Sequence, residues 1–223
     1  MKKILKNTPW DEKVFGFPTY ELLSTEEEAL TEIQDVAGHV SVKVDPQFDV
    51  KRLVKHGFYY CDTLINPHCD VDRFKPLTNP QVKLDRSIDF KSLDRVSKTA
   101  FTHGRFHRDF NIPKGMADLR YNQWFLQLAE EGTVFSLRFE DTLAGFFGYT
   151  ENRIVLHALD TPFRGKGLAK YFWSLACAEL FKAGHHEVVS SISADNMAIL
   201  NLYATLGFRF RNPLLCYHRF KSQ

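Results

Sequence analysis

The residues best suited to chemistry begin with a glycine-rich turn at 163–169 (FRGKGLA), which has the composition of a phosphate-binding loop. Gly165 and Gly167 allow the backbone to approach an anion without a Cβ in the way. Arg164 and Lys166 add positive charge on either side of Gly165. The alternative interpretation is a turn that only connects two elements.

The elements that must position this turn favour the binding role. The apolar, β-branched run 153–159 predicts a strand, and the apolar spacing from Leu168 to Gly184 predicts a helix. The turn therefore lies at a helix N-terminus, where free amides and the helix dipole attract anions. A Walker loop is absent, and Lys170 occupies the position of the third glycine in a dinucleotide-binding fingerprint.

A second segment, residues 194–208 (ADNMAILNLYATLGF), can present a phenol to a reacting group. A short helix is predicted at 196–206, with Gly207 as its C′ residue. Tyr203 lies seven residues after Asn196 on the same helix face, or ~10 Å along the helix axis. Because tyrosine has a pKa of ~10 and a free thiol one of ~8.5, a phenol can protonate a departing thiolate. The alternative for Tyr203 is a core aromatic residue.

Together the two segments resemble the acyl-CoA half of the GCN5-related N-acetyltransferase (GNAT) superfamily, whose pyrophosphate loop has the pattern R/Q-x-x-G-x-G/A. The resemblance implies an α/β fold with a mixed sheet, acetyl-CoA as cosubstrate, and Tyr203 as the acid that protonates the coenzyme thiolate. The residues expected to bind the coenzyme are His157, Ala158, Leu159, Arg164, Gly165, Lys166, Gly167, Leu168, Ala169 and Asn196.

Composition excludes several other classes. The 223 residues are 44% hydrophobic and 25% charged with a net charge of +2, which is typical of a globular protein and does not favour nucleic acid as a partner. The N-terminus has no signal-peptide core, and no run approaches the ~20 apolar residues of a membrane span, so we expect a cytoplasmic protein without a membrane partner. The scattered cysteines predict free thiols. They are Cys61, Cys69, Cys177 and Cys216.

No metal site is expected. His56, Cys61, His68, Cys69 and Asp70 contain no C-x-x-C pair. His103 and His107 have metal-like spacing, but Gly104 lies between them and a polar loop is the favoured interpretation.

Residues 41–58 align without a gap to residues 191–208, with serine, aspartate, glycine and phenylalanine in common. Both segments predict strand, helix, Gly-Phe and strand, and Ser24 to Glu27 predicts a capping box that opens a preceding helix. Leu53 stands in the place of Tyr203. We therefore predict a partial GNAT-like domain without a cofactor site at residues 1–78 and a catalytic GNAT domain at residues 79–223, although four identities could also arise by chance.

The other predicted elements of the catalytic domain follow the order of the superfamily. They are strands at 81–87, 187–192 and 215–220, helices at 89–101 and 116–131, and a hairpin of strands 134–139 and 143–149.

The predicted loop between those two helices, Thr102 to Gly115, carries arginines among aromatic residues. Arg105 and Arg108 suit phosphate, and Phe106 and Phe110 suit stacking on a base or sugar. The alternative is a surface loop whose aromatic residues are buried in the core.

A closer resemblance is to the dTDP-fucosamine acetyltransferases, enzymes that acetylate dTDP-4-amino-4,6-dideoxygalactose in surface polysaccharide synthesis. It covers nearly the whole chain and rests on Trp10-Asp11, Phe15-Gly16, the segment 101–110 and the helix segment 121–124. It implies a nucleotide-linked amino sugar as acceptor. The acceptor residues that follow are Arg105, Arg108, Tyr121 and Trp124.

The expected reaction is direct attack of the acceptor amine on acetyl-CoA. Backbone amides near His157 to Leu159 would polarise the thioester, and water, His157 or Asp160 would take the proton of the amine. Another amine (an aminoglycoside, a polyamine or a protein N-terminus) and a non-catalytic acyl-CoA-binding module are the alternatives. A homodimer also stays open.

Overall fold

A computed structural model describes residues 4–102 and 104–222, so His103 and any metal site that includes it lie outside the described residues. The strands are β1 (Leu5–Asn7), β2 (Thr19–Leu22), β3 (Gly38–Val44), β4 (Tyr59–Asp70), β5 (Val82–Asp85), β6 (Val134–Phe139), β7 (Thr142–Thr150), β8 (Arg153–Leu159), β9 (Glu187–Ser190), β10 (Ile192–Ser193) and β11 (Arg209–Lys221). The helices are α1 (Pro9–Phe15), α2 (Glu27–Glu32), α3 (Lys51–Lys55), α4 (Phe90–Thr99), α5 (Arg105–Arg108), α6 (Lys114–Glu130), α7 (Ala169–Lys182) and α8 (Met197–Thr205).

The chain folds into two compact units, which we describe separately. The first unit comprises residues 1–64, 103–120 and 212–223. In it β1 pairs antiparallel with β2, β2 parallel with β3, and β3 antiparallel with β11. Its core is a hydrophobic cluster that includes Leu30, Val40 and Leu53.

The second unit comprises residues 65–102 and 121–211. Here β5, β6, β7 and β8 form an antiparallel series, β8 pairs parallel with β9, and β9 pairs antiparallel with β4. One core cluster contains Trp173 of α7, and the other contains Phe125 of α6. The mixed sheet and the alternating elements confirm the predicted α/β class.

Local sequence signals set most boundaries of the second unit. The strand predicted at 153–159 is confirmed as β8, and the predicted hairpin is confirmed as β6 and β7. Asn196 caps α8, and Gly207 follows that helix with φ 92°, as its predicted C′ role requires.

Two predictions in the first unit are wrong. The capping box at Ser24 does not form as predicted, because the N-cap of α2 is Glu26 and the Ser24 hydroxyl accepts from the amide of that residue, at 3.4 Å, before the helix begins. The segment predicted as an irregular loop contains α5, because Phe106 is buried in a cluster with Phe15 and Ile112. The burial of Phe106 agrees with the alternative that the sequence left open for the aromatic residues of this segment.

None of the described helices combines the length and the apolar character needed to cross a membrane.

Candidate functional site

The geometry of the site begins with an irregularity in β8. Gly148 pairs with Leu156 and Tyr149 pairs with Ile154, so that Val155 is an extra residue on β8. Ile154 packs in one core cluster and Leu156 in the other, whereas residues two apart on a regular strand share a face. This β-bulge therefore reverses which face and which edge each later residue of β8 presents.

The bulge leaves an unpaired edge on β8. The pairing with β9 ends where Ile154 meets Ser190. The Asp160 amide donates to the Ala144 carbonyl at 2.8 Å, on the side of β7. Because amides alternate along a strand, those of His157 and Leu159 face away from β7, toward the edge that β9 no longer covers. The edge can therefore offer hydrogen bonds to an extended ligand.

The unpaired edge leads directly into the glycine turn. Arg164 Nε donates to the Leu159 carbonyl at 2.7 Å and ties the start of the turn to the end of the strand. Asp160 accepts from the Thr161 amide at 2.8 Å and pairs with Arg95, which lowers the pKa of its carboxyl. A carboxylate held in this way is a weaker base than a free one, which disfavours Asp160 as the base.

The turn has the geometry of an anion site. Gly165 and Gly167 have φ of 71° and 69°, in the left-handed region that favours glycine. A Cβ built on either glycine would meet no atom within 4 Å, so the space above the turn is open. Within the described residues, the amides of 165–168 donate no backbone hydrogen bond, and α7 begins at Ala169. Lys166 is exposed beside them.

Asn196 lies at the start of α8. Its side-chain oxygen accepts from the Ile199 amide at 3.3 Å as an N-cap. Because the oxygen is used by the helix, only the amide N–H₂ group is available to donate to a ligand.

Tyr203 is fully buried, with 0% of its surface exposed. Its hydroxyl lies 3.5 Å from His157 Nε2, and its ring packs against Phe208. Burial raises the pKa of the Tyr203 phenol, and hydrogen bonding with Ser190 and Trp173 opposes that effect. Tyr203 is therefore a core aromatic residue, the alternative stated for it above, and its hydroxyl lies beside polar side chains.

His157 is only partly exposed on β8, with its ring against Phe147 and Trp173. Burial lowers its pKa to about 4, so the imidazole is neutral at neutral pH. It can accept a proton there, but only as a weak base.

The predicted acceptor residues of the first unit divide into buried and exposed groups. Phe106 is buried, whereas Phe110 is 77% exposed and packs on Tyr59 with ring centroids 4.3 Å apart. Arg108 pairs with Asp62 at 3.3 Å. The guanidinium of Arg105 lies over the Phe106 ring, and its Nε is buried without a partner in the described residues. Of the two aromatic residues, only Phe110 is accessible for stacking.

Tyr121 and Trp124 belong to α6 in the second unit. Tyr121 stacks on Phe101 with an interplanar angle of 17°, and Trp124 lies 6.5 Å from Tyr121 between ring centroids. Both side chains are partly exposed, so their rings still present surface to solvent.

The sequence did not reveal a buried polar cluster of the first unit. His39 Nε2 and His218 Nδ1 lie 3.0 Å and 2.7 Å from the same oxygen of Asp109. The other oxygen accepts from the Tyr59 hydroxyl and the Asn111 amide at 2.8 Å and 2.9 Å. The two imidazoles and the carboxylate could also ligate a metal ion. Four donors satisfy the carboxylate, whereas His218 Nε2 is buried without a hydrogen-bond partner among the described residues.

The four cysteines are free thiols, as predicted, and all are buried. Burial raises the pKa of the thiols of Cys61, Cys69 and Cys177. Thiols in this state are poor nucleophiles, which disfavours a covalent acyl-enzyme.

Comparison with known proteins agrees with this geometry. Residues 100–208 match the model of the Acetyltransferase (GNAT) family. That segment contains β8, the glycine turn, Asn196 and Tyr203. No curated protein sequence matches the chain significantly.

Solved structures share the fold at low sequence identity. A GCN5-related N-acetyltransferase from Sphaerobacter thermophilus has a TM-score of 0.61 at 13% identity, over 88% of this chain and 67% of that one. A GCN5-related N-acetyltransferase from Kribbella flavida has a TM-score of 0.60 at 10% identity, over 91% and 81%. A tandem GNAT protein from the clavulanic acid biosynthesis pathway has a TM-score of 0.55 at 12% identity, over 91% and 75%. The family model thus covers just under half of the chain, and these structures share its fold.

Proposed function

We propose that the protein transfers an acetyl group from acetyl-CoA to the amino group of a nucleotide-linked amino-dideoxy sugar, with dTDP as the favoured nucleotide. The observation that carries the acetyl-CoA part is the unpaired edge of β8, which runs into the open glycine turn at the start of α7. An extended ligand with a diphosphate at one end matches both features.

In this proposal the pyrophosphate binds the amides of residues 165–169. Lys166 is exposed and adds charge to that site, and Arg164 holds the turn through the Leu159 carbonyl. The N–H₂ group of Asn196 donates to the coenzyme further along. Donors at a helix N-terminus are favourable for phosphate because the dipole and the free amides act together.

The neutral amine of the acceptor attacks the thioester carbon directly. A C–N bond forms and the C–S bond breaks, while the amides of His157 and Leu159 are the donors available to the carbonyl oxygen. The proton on Tyr203 moves to the departing sulfur. The surplus proton on the new amide nitrogen leaves to water or to His157 Nε2.

Burial makes the Tyr203 phenol a weaker acid than a phenol in water. The departing sulfur would lie in the same buried environment, which raises the pKa of its thiol as well. Cys177 shows the effect of this core on a thiol, since burial raises its pKa as well. When both pKa values rise together, the proton transfer stays close to balanced. Burial of Tyr203 is therefore compatible with its role as the acid.

The acceptor part of the proposal rests on the exposed face of Phe110 and on two guanidiniums of the same unit. An exposed ring braced by Tyr59 suits stacking on a base or a sugar face. Arg105 and Arg108 suit the phosphates of a sugar nucleotide. Tyr121 and Trp124 are proposed as further acceptor contacts from α6.

We also propose that residues 1–78 form a partial GNAT-like domain without a cofactor site and residues 79–223 the catalytic one. The alignment of residues 41–58 with 191–208 supports this division. It is also supported by the likeness to a protein that is itself a tandem GNAT. One acetyl-CoA should bind per chain, and calorimetry that finds two would contradict the division.

A screen of acceptors with acetyl-CoA tests the function through release of free thiol. Candidates include dTDP- and UDP-linked amino sugars, an aminoglycoside, spermidine and peptides with free N-termini. Turnover only with a nucleotide-linked amino sugar supports the proposal. Turnover only with another amine would identify that amine as the acceptor instead. Binding of acetyl-CoA without any thiol release would show a non-catalytic binding module.

Tyr203→Phe provides the test of the acid. The variant should lose most of its turnover while it still binds acetyl-CoA, because only the proton donor is removed. Near-normal turnover would exclude Tyr203 as the acid.

A further inference from the structure

The hydroxyl of Tyr203 lies among three polar side chains of the second unit. They are His157 of β8, Ser190 of β9 and Trp173 of α7. Trp173 is 1% exposed, with its ring centroid 4.7 Å from that of His157. Its Nε1–H is buried and has no acceptor at hydrogen-bond geometry within the described residues. A buried donor without a partner destabilises a fold, so its presence here needs an explanation, and a role in the reaction is one.

Ser190 and Trp173 differ in whether their donor already has an acceptor. The Ser190 hydroxyl donates to the Ile154 carbonyl at 3.0 Å, so its proton is already used within the sheet. The indole N–H of Trp173 has no acceptor among the described residues. It nevertheless lies close enough to the Tyr203 oxygen to lower the pKa of the phenol.

The proposed reaction increases the need of the Tyr203 oxygen for hydrogen-bond donors. Once its proton passes to sulfur, Tyr203 is a phenolate in a buried site, and a buried anion is costly without donors. The titratable neighbours cannot supply positive charge at neutral pH. His157 is neutral because its pKa is about 4, and Cys177 has no cationic form.

We infer that Trp173 is a positioning residue whose Nε1–H closes onto the Tyr203 oxygen as the phenolate forms. The inference rests on the proposed acid role of Tyr203. A hydrogen bond that is poor in the resting enzyme and good in the transition state accelerates the reaction, because it stabilises only the second state. The unpartnered indole in the resting structure is what such a device requires.

Trp173→Phe removes the N–H and keeps an aromatic ring in the core. It should lower kcat about 10- to 100-fold, the effect of one hydrogen bond to a charged group, and leave the Kd for acetyl-CoA unchanged. The same substitution in the Tyr203→Phe background should change kcat less than about 2-fold, because no phenolate forms there. An equal loss in both backgrounds would show a merely structural role and overturn the inference.

A second measurement needs no activity. The indole N–H signal of Trp173, assigned by its absence in Trp173→Phe, should move in nuclear magnetic resonance spectra of Tyr203→Phe. The indole signal of Trp124, which packs against the other core cluster of the second unit, should not move. An unmoved Trp173 signal would show that its N–H does not lie beside the Tyr203 hydroxyl and would overturn the inference. A moved signal in a protein that acetylates none of the acceptors would show that the proposed function has failed and the proximity has not.

Ser190→Ala is the matched control, because Ser190 is another polar neighbour of the Tyr203 hydroxyl. Because the Ser190 hydroxyl is held by Ile154, we expect a smaller loss of kcat than in Trp173→Phe. A larger loss in Ser190→Ala would assign the donor to Ser190 instead and overturn the inference.

Discussion

Gly167→Ala separates the binding role of the glycine turn from its structural role. Gly167 has φ 69°, and an added Cβ would meet no atom within 4 Å, so the substitution creates no clash in the free protein. Its cost to folding is the left-handed backbone alone, about 1 to 2 kcal/mol. Gly132 is a matched control, because it has φ 72° and equally open surroundings.

The two variants should differ only in their affinity for acetyl-CoA. The methyl group of Gly167→Ala would enter the space proposed for the pyrophosphate and prevent close approach to an amide. The loss of one hydrogen bond to a charged group is about 1.5 to 3 kcal/mol. At about 1.4 kcal/mol per factor of ten, the Kd for acetyl-CoA should rise about 10- to 100-fold.

Thermal unfolding and calorimetric titration with acetyl-CoA make the comparison. Both variants should lose a similar amount of unfolding free energy, and only Gly167→Ala should bind acetyl-CoA more weakly. An unchanged Kd in Gly167→Ala, or an equal rise in Gly132→Ala, would refute the assignment of the turn to the pyrophosphate.

Two further predictions concern stability. His157 has a pKa of about 4 in the fold against 6.5 ordinarily, so the unfolded chain takes up a proton first. The unfolding free energy should fall by up to about 1.4 kcal/mol per pH unit between those values as pH decreases. Urea titrations at several pH values should show that the unfolding free energy of His157→Gln depends less on pH than that of the unsubstituted protein; an equal dependence in both would contradict the burial argument. Asp109→Asn should destabilise the first unit by about 3 to 5 kcal/mol, because an amide N–H₂ replaces an oxygen that accepts from two imidazoles. Asp141→Asn, at a side chain 97% exposed, should stay within about 0.5 kcal/mol, and comparable losses in both would contradict the network.

The fold of the second unit could be predicted where local signals agree. The run 153–159 is apolar and β-branched and stops at Asp160-Thr161-Pro162, so β8 has the predicted bounds. The bulge at Val155 carries no such signal, because it is a property of the register with β7. Sequence periodicity alone would place Ile154 and Leu156 on one face, and the structure places them on two.

The candidate site divides in the same way. The glycines of the turn and Asn196 could be recognised because a turn and an N-cap depend on a few neighbouring residues. Asp109, His39 and His218 could not, because β3 and β11 bring together residues that are 70 and 109 positions apart from Asp109 in sequence. The environment of Tyr203 was also hidden, since Trp173 and Ser190 reach it from different elements.

The helices of the two aligned segments end with the same backbone hydrogen bonds. Phe58 N donates to the Leu53 carbonyl at 3.1 Å, and Phe208 N donates to the Tyr203 carbonyl at 3.0 Å. Gly57 follows α3 with φ 80°, as Gly207 follows α8 with φ 92°. These bonds involve only the backbone, so either side chain fits the same helix end.

What differs is the lining around the two side chains. Leu53 lies in a hydrophobic cluster with Leu30, Val40 and Phe58. Tyr203 instead meets His157, Ser190 and Trp173, each from a different element. In the proposed mechanism a tyrosine at the end of such a helix is not enough, because the phenolate also needs polar groups around it. The indole N–H of Trp173 therefore gives a sharper test of the proposed acid role than the helix motif does.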